Sequence, residues 1–222
     1  MVDYKNFSLK KLNSAEFCHI KYLFYWPFYG LAFLLLERFV KADYNFMHCF
    51  LDDFIPFCEF FVVPYYFWFV YLIGMLVYTF FFDTKSFSKM MKYIIITYTA
   101  SILIYVIYPN AQNLRPESFE RHNVFTEIVG FLYVFDTNTN VCPSIHVLGS
   151  MASLFASFEC EKFKGAKWRF AFWVSAVLIS ISTVFLKQHS VIDVAVAFVL
   201  GILAYPFAFG DIKMSAKKDM SV

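Results

Sequence analysis

The chain has 222 residues, 60% of them hydrophobic and 23% aromatic, with only 16% charged and a formal net charge of +2. A soluble domain is about half apolar, so this composition excludes an ordinary water-soluble protein and fits one integral membrane domain. There is no basic stripe and no nucleic-acid-binding motif, so no nucleic-acid partner is expected.

The N-terminal stretch "MVDYKNFSLKKLNSAEFCHIK" is polar and basic and runs into an apolar segment without a small-residue cleavage site. It reads as the approach to a retained membrane helix, not as a cleaved signal peptide. Hydropathy predicts six spans, near 22–36, 60–82, 93–109, 143–158, 169–186 and 190–209. The second, "FFVVPYYFWFVYLIGMLVYTFFF", has 23 residues and no charge, where about 20 suffice to cross the hydrocarbon core. The fourth is the shortest. Aromatics crowd the span ends, as rings at the headgroup level do, and Pro64 and Pro206 fall inside spans, which membrane helices tolerate. The segment "VFTEIVGFLYVF" is too short to cross and is expected to lie in the interface or over the outer mouth. The expected fold is all-α, a polytopic six-helix transmembrane bundle with both termini cytoplasmic. An N-terminal segment (1–21) precedes the membrane domain (22–210) and a tail (211–222) follows it. The end of the tail, "KMSAKKDMSV", is expected to be disordered.

The orientation comes from the basic residues. With the N-terminus inside, the inner segments hold 14 of the 19: Lys5, Lys10, Lys11, Lys21, Lys85, Lys89, Lys92, Lys162, Lys164, Lys167, Arg169, Lys213, Lys217 and Lys218. The outer segments hold Arg38, Lys41, Arg115, Arg121 and Lys187. That asymmetry is the positive-inside pattern. The five cysteines show no CxxC and no metal-ligand spacing, and no HExxH-like cluster occurs, so no metal or other cofactor is expected. They read as small buried hydrophobes, although a disulfide from Cys142 to Cys49 or Cys58 is open in an oxidising compartment.

Polar residues collect at the outer helix ends. Arg115-Pro116 follows span three, Ser144 and His146 open span four, and His189 and Asp193 straddle the turn between spans five and six. Each has a plain structural reading: a solvated turn, a helix cap, a packed histidine, a local contact at i, i+4. Together they suit attack on a phosphate ester. Asp193 can hold one ring nitrogen of His189 and free the other as nucleophile. His146 can protonate a leaving oxygen. Arg115, Ser144 and the first N–H groups of span four can bind phosphate oxygens without a metal.

These residues resemble the signatures of the type 2 phosphatidic acid phosphatases, or lipid phosphate phosphatases, a superfamily to which vanadium haloperoxidases are related. Its Pro-Ser-Gly-His reads here Pro143-Ser144-Ile145-His146. Its Ser-Arg, five residues, His, three residues, Asp reads Ser182-Thr183, then His189 and Asp193. Its Lys, seven residues before Arg-Pro, leaves only Arg115-Pro116, because Tyr108 stands at the Lys position. Thr183 replaces the second family cation, and Lys187, four residues on, is expected to stand in for it from the same helix face. The resemblance implies a phosphohistidine on His189, oriented by Asp193. It also implies His146 as general acid and then base, and phosphate held by Arg115, Ser144 and Lys187. The implied substrate is a membrane lipid phosphate at the extracytoplasmic or lumenal face. The thinned pattern also resembles inositol-phosphorylceramide and sphingomyelin synthases, which pass a phospho-headgroup to an alcohol. A non-catalytic transporter or interaction protein is a third reading, but its polar residues should line a path across the bilayer.

Overall fold

The computed structural model describes residues 2–39 and 43–210; Lys41 and the tail 211–222, with Lys213, Lys217 and Lys218, lie outside the described residues. The chain is nearly all helical. Helices α1 (Tyr25–Phe39), α2 (Phe50–Phe54), α3 (Val62–Phe82), α4 (Thr84–Ile107), α5 (Val124–Phe135), α6 (Ile145–Glu159), α7 (Ala166–Phe185) and α8 (Val191–Ala208) follow one another. Two short strands, β1 (Asn45–Phe46) and β2 (Asn110–Ala111), pair in parallel.

Four segments among the described residues are long and apolar enough to cross a membrane: Glu59–Phe82, Thr84–Ile107, Ala166–Phe185 and Val191–Ala208. Their outward residues are apolar, as with Val70, Ile73 and Val77 on α3 and Val199, Ile202 and Leu203 on α8, a surface suited to lipid. The other two expected spans form shorter helices. α1 and α6 have 15 residues each, about 22 Å at 1.5 Å per residue, against a core of about 30 Å.

The many small residues of α6 suit its position. It packs against α3, α4, α7 and α8 at once, so its environment is protein. Gly149, Ser150, Ala152, Ser153, Ala156 and Ser157 are buried along it, small residues that let neighbouring backbones come close. Ser150 and Ser153 return their hydroxyls to the carbonyls of His146 and Gly149, which satisfies them within the helix.

α4 begins earlier than hydropathy suggests. Asp83 alone separates it from α3 and caps it, accepting from the Ser86 N–H at 3.0 Å and the Ser86 hydroxyl at 2.8 Å. Lys85, Lys89 and Lys92 therefore sit on its first turns instead of in a loop. At this end Tyr4 donates to the Phe80 carbonyl at 2.7 Å, Lys89 pairs with Glu159 at 2.7 Å, and Phe163 packs on Tyr78 and Phe172. The N-terminal segment, the α3–α4 link and the α6–α7 link thus share one end of the bundle.

The opposite end is built from the segments 43–61 and 108–144. Asn110 organises it: its amide donates to the Tyr108 and Cys142 carbonyls and its oxygen accepts from the Val141 and Cys142 N–H groups. α5 forms over the segment expected to be a short helix. Asn123 caps it, and Phe131, Val134 and Phe135 stand exposed along it. All five cysteines are free, so neither Cys49 nor Cys58 is joined to Cys142.

Candidate active site

Two elements present the histidines, and each is fixed by backbone chemistry at a helix end. α7 stops at Phe185 in a Schellman turn: the Gln188 N–H donates to the Thr183 carbonyl at 2.9 Å and the Lys187 N–H to Val184 at 3.0 Å. Lys187 takes the left-handed conformation this turn requires, with φ 55°. Thr183, where the family has an arginine, supplies its carbonyl to the turn and turns its hydroxyl back to Ser180.

The chain then enters α8 through a capping box. Ser190 Oγ accepts from the Ile192 N–H, and Asp193 Oδ2 accepts from the Ser190 N–H at 2.9 Å. The same carboxylate oxygen lies 3.2 Å from His189 Nδ1. His189 is therefore outside the helix. The pair meets because Asp193, at the third helical position, folds back over the entry, not because the two share a helix face. A proton on Nδ1 bonds to this carboxylate and leaves Nε2 with its lone pair free.

His146 sits in the first turn of α6. Its ring lies between Trp68 and Tyr65 of α3, with centroid separations of 4.5 and 4.6 Å. The His146 and His189 rings are 5.6 Å apart. Two imidazoles separated by more than 40 residues thus face one point. Ser144 is the N-cap residue of α6, yet its hydroxyl makes no cap bond. It is fully buried and has no hydrogen-bond partner among the described residues. Its N–H donates to the Asp193 carbonyl at 3.2 Å, which ties the opening of α6 to the first turn of α8.

The two cations are otherwise engaged. Arg115 Nη1 donates to the Tyr133 carbonyl at 3.0 Å, and Nη2 to the Asp136 and Thr137 carbonyls at 2.7 and 3.0 Å. It closes the C-terminal end of α5, with its guanidinium 4.6 Å from the Tyr133 ring centre. Nε has no hydrogen-bond partner among the described residues. Burial pulls Arg115 below the ordinary arginine range, and Asp136 is the first charge opposing that shift. Lys187 does not lie along the Thr183 face as expected, because α7 ends before it. Its ammonium donates to the Asp52 carbonyl at 2.8 Å and to Ile55 at 2.5 Å. Burial lowers it, against the pull of Asp52 and Asp53.

Several supporting residues carry no signature in the sequence. Tyr65 and Trp68 are two aromatics in a span full of them. Asp136 accepts from the Tyr65 hydroxyl at 2.6 Å and from Gln188 Nε2 at 3.2 Å. Asp52 accepts from Ser190, Val191 and Cys49. The one local signal was "KQHS", four polar residues between two apolar spans, all of them buried.

The family model described as the PAP2 superfamily matches residues 90–215. No curated protein and no solved structure matches the chain. The matched segment holds Arg115, Ser144, His146, Lys187, His189 and Asp193, whereas Tyr65, Trp68 and Asp52 precede it. It spans more than half of the sequence, and the chain belongs to the PAP2 superfamily, whose members are phosphatases and related phosphoesterases.

Proposed function

We propose that the protein is a membrane-embedded lipid phosphate phosphatase working through a phosphohistidine. The observation that carries this reading is the His146–His189 pair, with rings 5.6 Å apart and His189 Nδ1 held on Asp193. His189 Nε2 attacks phosphorus and the lipid oxygen leaves with the proton of His146. His146 then takes a proton from water as that water attacks the phosphohistidine, and phosphate departs. Ser144 and the opening N–H groups of α6 receive the phosphate oxygens. Arg115 adds its Nε, while Lys187 contributes positive potential from its place on the α2 carbonyls. The site belongs to the extracytoplasmic or lumenal face, because the lysine-rich end of the bundle is the opposite one, and the two shorter helices complete a six-helix plan.

A second reading has a specific observation behind it. Both replaced cations leave no substitute at their own positions: Tyr108 is half-exposed, and the buried Thr183 hydroxyl is used by Ser180. A site with less positive charge suits transfer of a phospho-headgroup to an alcohol, in which the same phosphohistidine is resolved by that alcohol.

The test is phosphate release from phosphatidic acid and polyprenyl diphosphate by purified protein. Product analysis runs with and without ceramide, diacylglycerol or inositol. Native turnover that disappears in His189→Ala supports the reading. Undiminished release from that variant removes it, and a phospholipid product formed only with an added acceptor moves the assignment to the phosphotransferase.

A further inference from the structure

Asp136 does not belong to the family pattern, and no local feature of "VFDTNTN" marks it. Its side chain nevertheless connects both histidines. On one side it accepts from the Tyr65 hydroxyl at 2.6 Å, and the Tyr65 ring lies 4.6 Å from that of His146. On the other it accepts from Gln188 Nε2 at 3.2 Å, and Gln188 is the residue before His189. Tyr65 and Gln188 are both buried, so neither has water as an alternative partner. The Asp136 backbone carbonyl also takes an Arg115 Nη2 hydrogen bond at 2.7 Å.

We propose that Asp136 is a positioning residue for this site, resting on the phosphohistidine reading above. It holds Tyr65 against His146 and Gln188 beside His189, and it supplies the negative charge that balances His146 when that ring carries a proton. A buried imidazole can act as a general acid only if something offsets the cost of its charged form. Other groups face His146 from the elements around it. α3 contributes the neutral ring of Tyr65. The α7–α8 turn contributes His189, with Asp193 behind it, and the segment between α5 and α6 contributes Asp136, whose backbone carbonyl holds Arg115. From α4, Tyr98 and Tyr105 donate to the Ile145 and Pro143 carbonyls. Asp193 is committed to His189 and Ser190. Asp136 is the carboxylate that acts electrostatically on His146.

Asp136→Asn keeps the shape and an oxygen for Tyr65 but removes the charge. The experiment uses full-length protein in detergent micelles with 15N-labelled histidine, and follows both the ring titration of His146 and the pH–rate profile. In Asp136→Asn the His146 midpoint should fall by about one pH unit. The alkaline limb of the rate profile should follow it, with kcat reduced and KM unchanged. An unmoved midpoint and limb overturn the proposal, even if the rate drops. If Asp136→Asn does not fold, Asp136→Ser is read the same way, because it also removes the charge and leaves a small polar side chain at the position that meets Tyr65 and Gln188. Failure of the phosphohistidine reading shows separately, as undiminished phosphate release from His189→Ala.

Discussion

Ser190 donates its hydroxyl to Asp52 across 2.5 Å, joining the cap of α8 to a helix 138 residues earlier in the chain. The Val191 N–H reaches the other oxygen of the same carboxylate at 2.9 Å. Asp52 is 2% exposed and lies in the short helix α2, whose carbonyls hold Lys187. One residue therefore holds both sides of the turn that carries His189, its carboxylate taking Ser190 and Val191 and its backbone carbonyl taking Lys187.

Stability should show this as a pH dependence. Burial alone would raise the Asp52 carboxyl, but the Ser190 hydroxyl and the Val191 and Cys49 N–H groups hold it below the usual carboxylate range. A depressed folded-state value means the stabilisation is present above the unfolded value of about 3.9 and is lost as pH falls through the lower folded value. Thermal unfolding in detergent should show this loss below about pH 4 in the native protein. Asp52→Asn should lack it and be less stable at neutral pH by about 2–3 kcal/mol. Equal acid sensitivity in both proteins would contradict the assignment.

The same anchor explains which parts of the fold and site were legible in the sequence. The long helices announce themselves because lipid-facing residues must be apolar. α6 announces itself poorly because its neighbours are protein, so Ser150, Ser153 and Ser157 are tolerated there. The histidines were legible as a convergence of polar residues at helix ends. The direction of Lys187 was not. Extending the α7 face past Phe185 assumed a helix that the Schellman turn had already ended. Asp52 and Asp136 were invisible for another reason: a carboxylate between apolar spans looks solvated until the tertiary fold engages it, and here Asp52 is buried against Ser190 and Val191 while the half-buried Asp136 meets Tyr65 and Gln188.

Gly149 should be intolerant of any side chain. A Cβ there would lie 2.7 Å from the Tyr98 hydroxyl and 3.0 Å from Trp68 Nε1, closer than atoms pack. Trp68 is one of the two rings holding His146, so the displacement reaches the site. Gly149→Ala should cost about 1–3 kcal/mol of stability and lower kcat beyond what the loss of folded protein explains. Single-turnover rates on the folded fraction would separate the two effects. A rate equal to native would show that the Trp68 contact does not set the position of His146.

Arg115 and Lys187 should fail in different ways from a simple phosphate clamp. Arg115 uses both Nη atoms on backbone carbonyls at the end of α5, a planar fork that lysine cannot reproduce. Arg115→Lys should therefore lower the melting temperature as well as activity. Lys187→Met keeps the aliphatic stem and loses the hydrogen bonds to Asp52 and Ile55. It should lower stability by about 1.5–3 kcal/mol, while inhibition by vanadate weakens only modestly. A Lys187→Met protein of native stability whose vanadate affinity collapses would make Lys187 a direct phosphate ligand.

Ser144 offers the sharpest separation between a structural and a chemical role. A serine that caps a helix contributes about 1 kcal/mol, which is lost on replacement by alanine. Here the hydroxyl is buried at the N-cap position but makes no cap bond and has no hydrogen-bond partner among the described residues. Burying an unpaired hydroxyl is itself unfavourable, so Ser144→Ala should leave the melting temperature unchanged or raise it. The same variant should lose vanadate affinity and turnover by about tenfold or more, as expected for a donor used mainly when charge develops on phosphate oxygens. Thermal melts and inhibition curves on one preparation decide the matter. A destabilised Ser144→Ala with native kinetics would return this serine to the role of a cap, and the phosphate would then have to be held by the backbone N–H groups of α6 and by Arg115 alone.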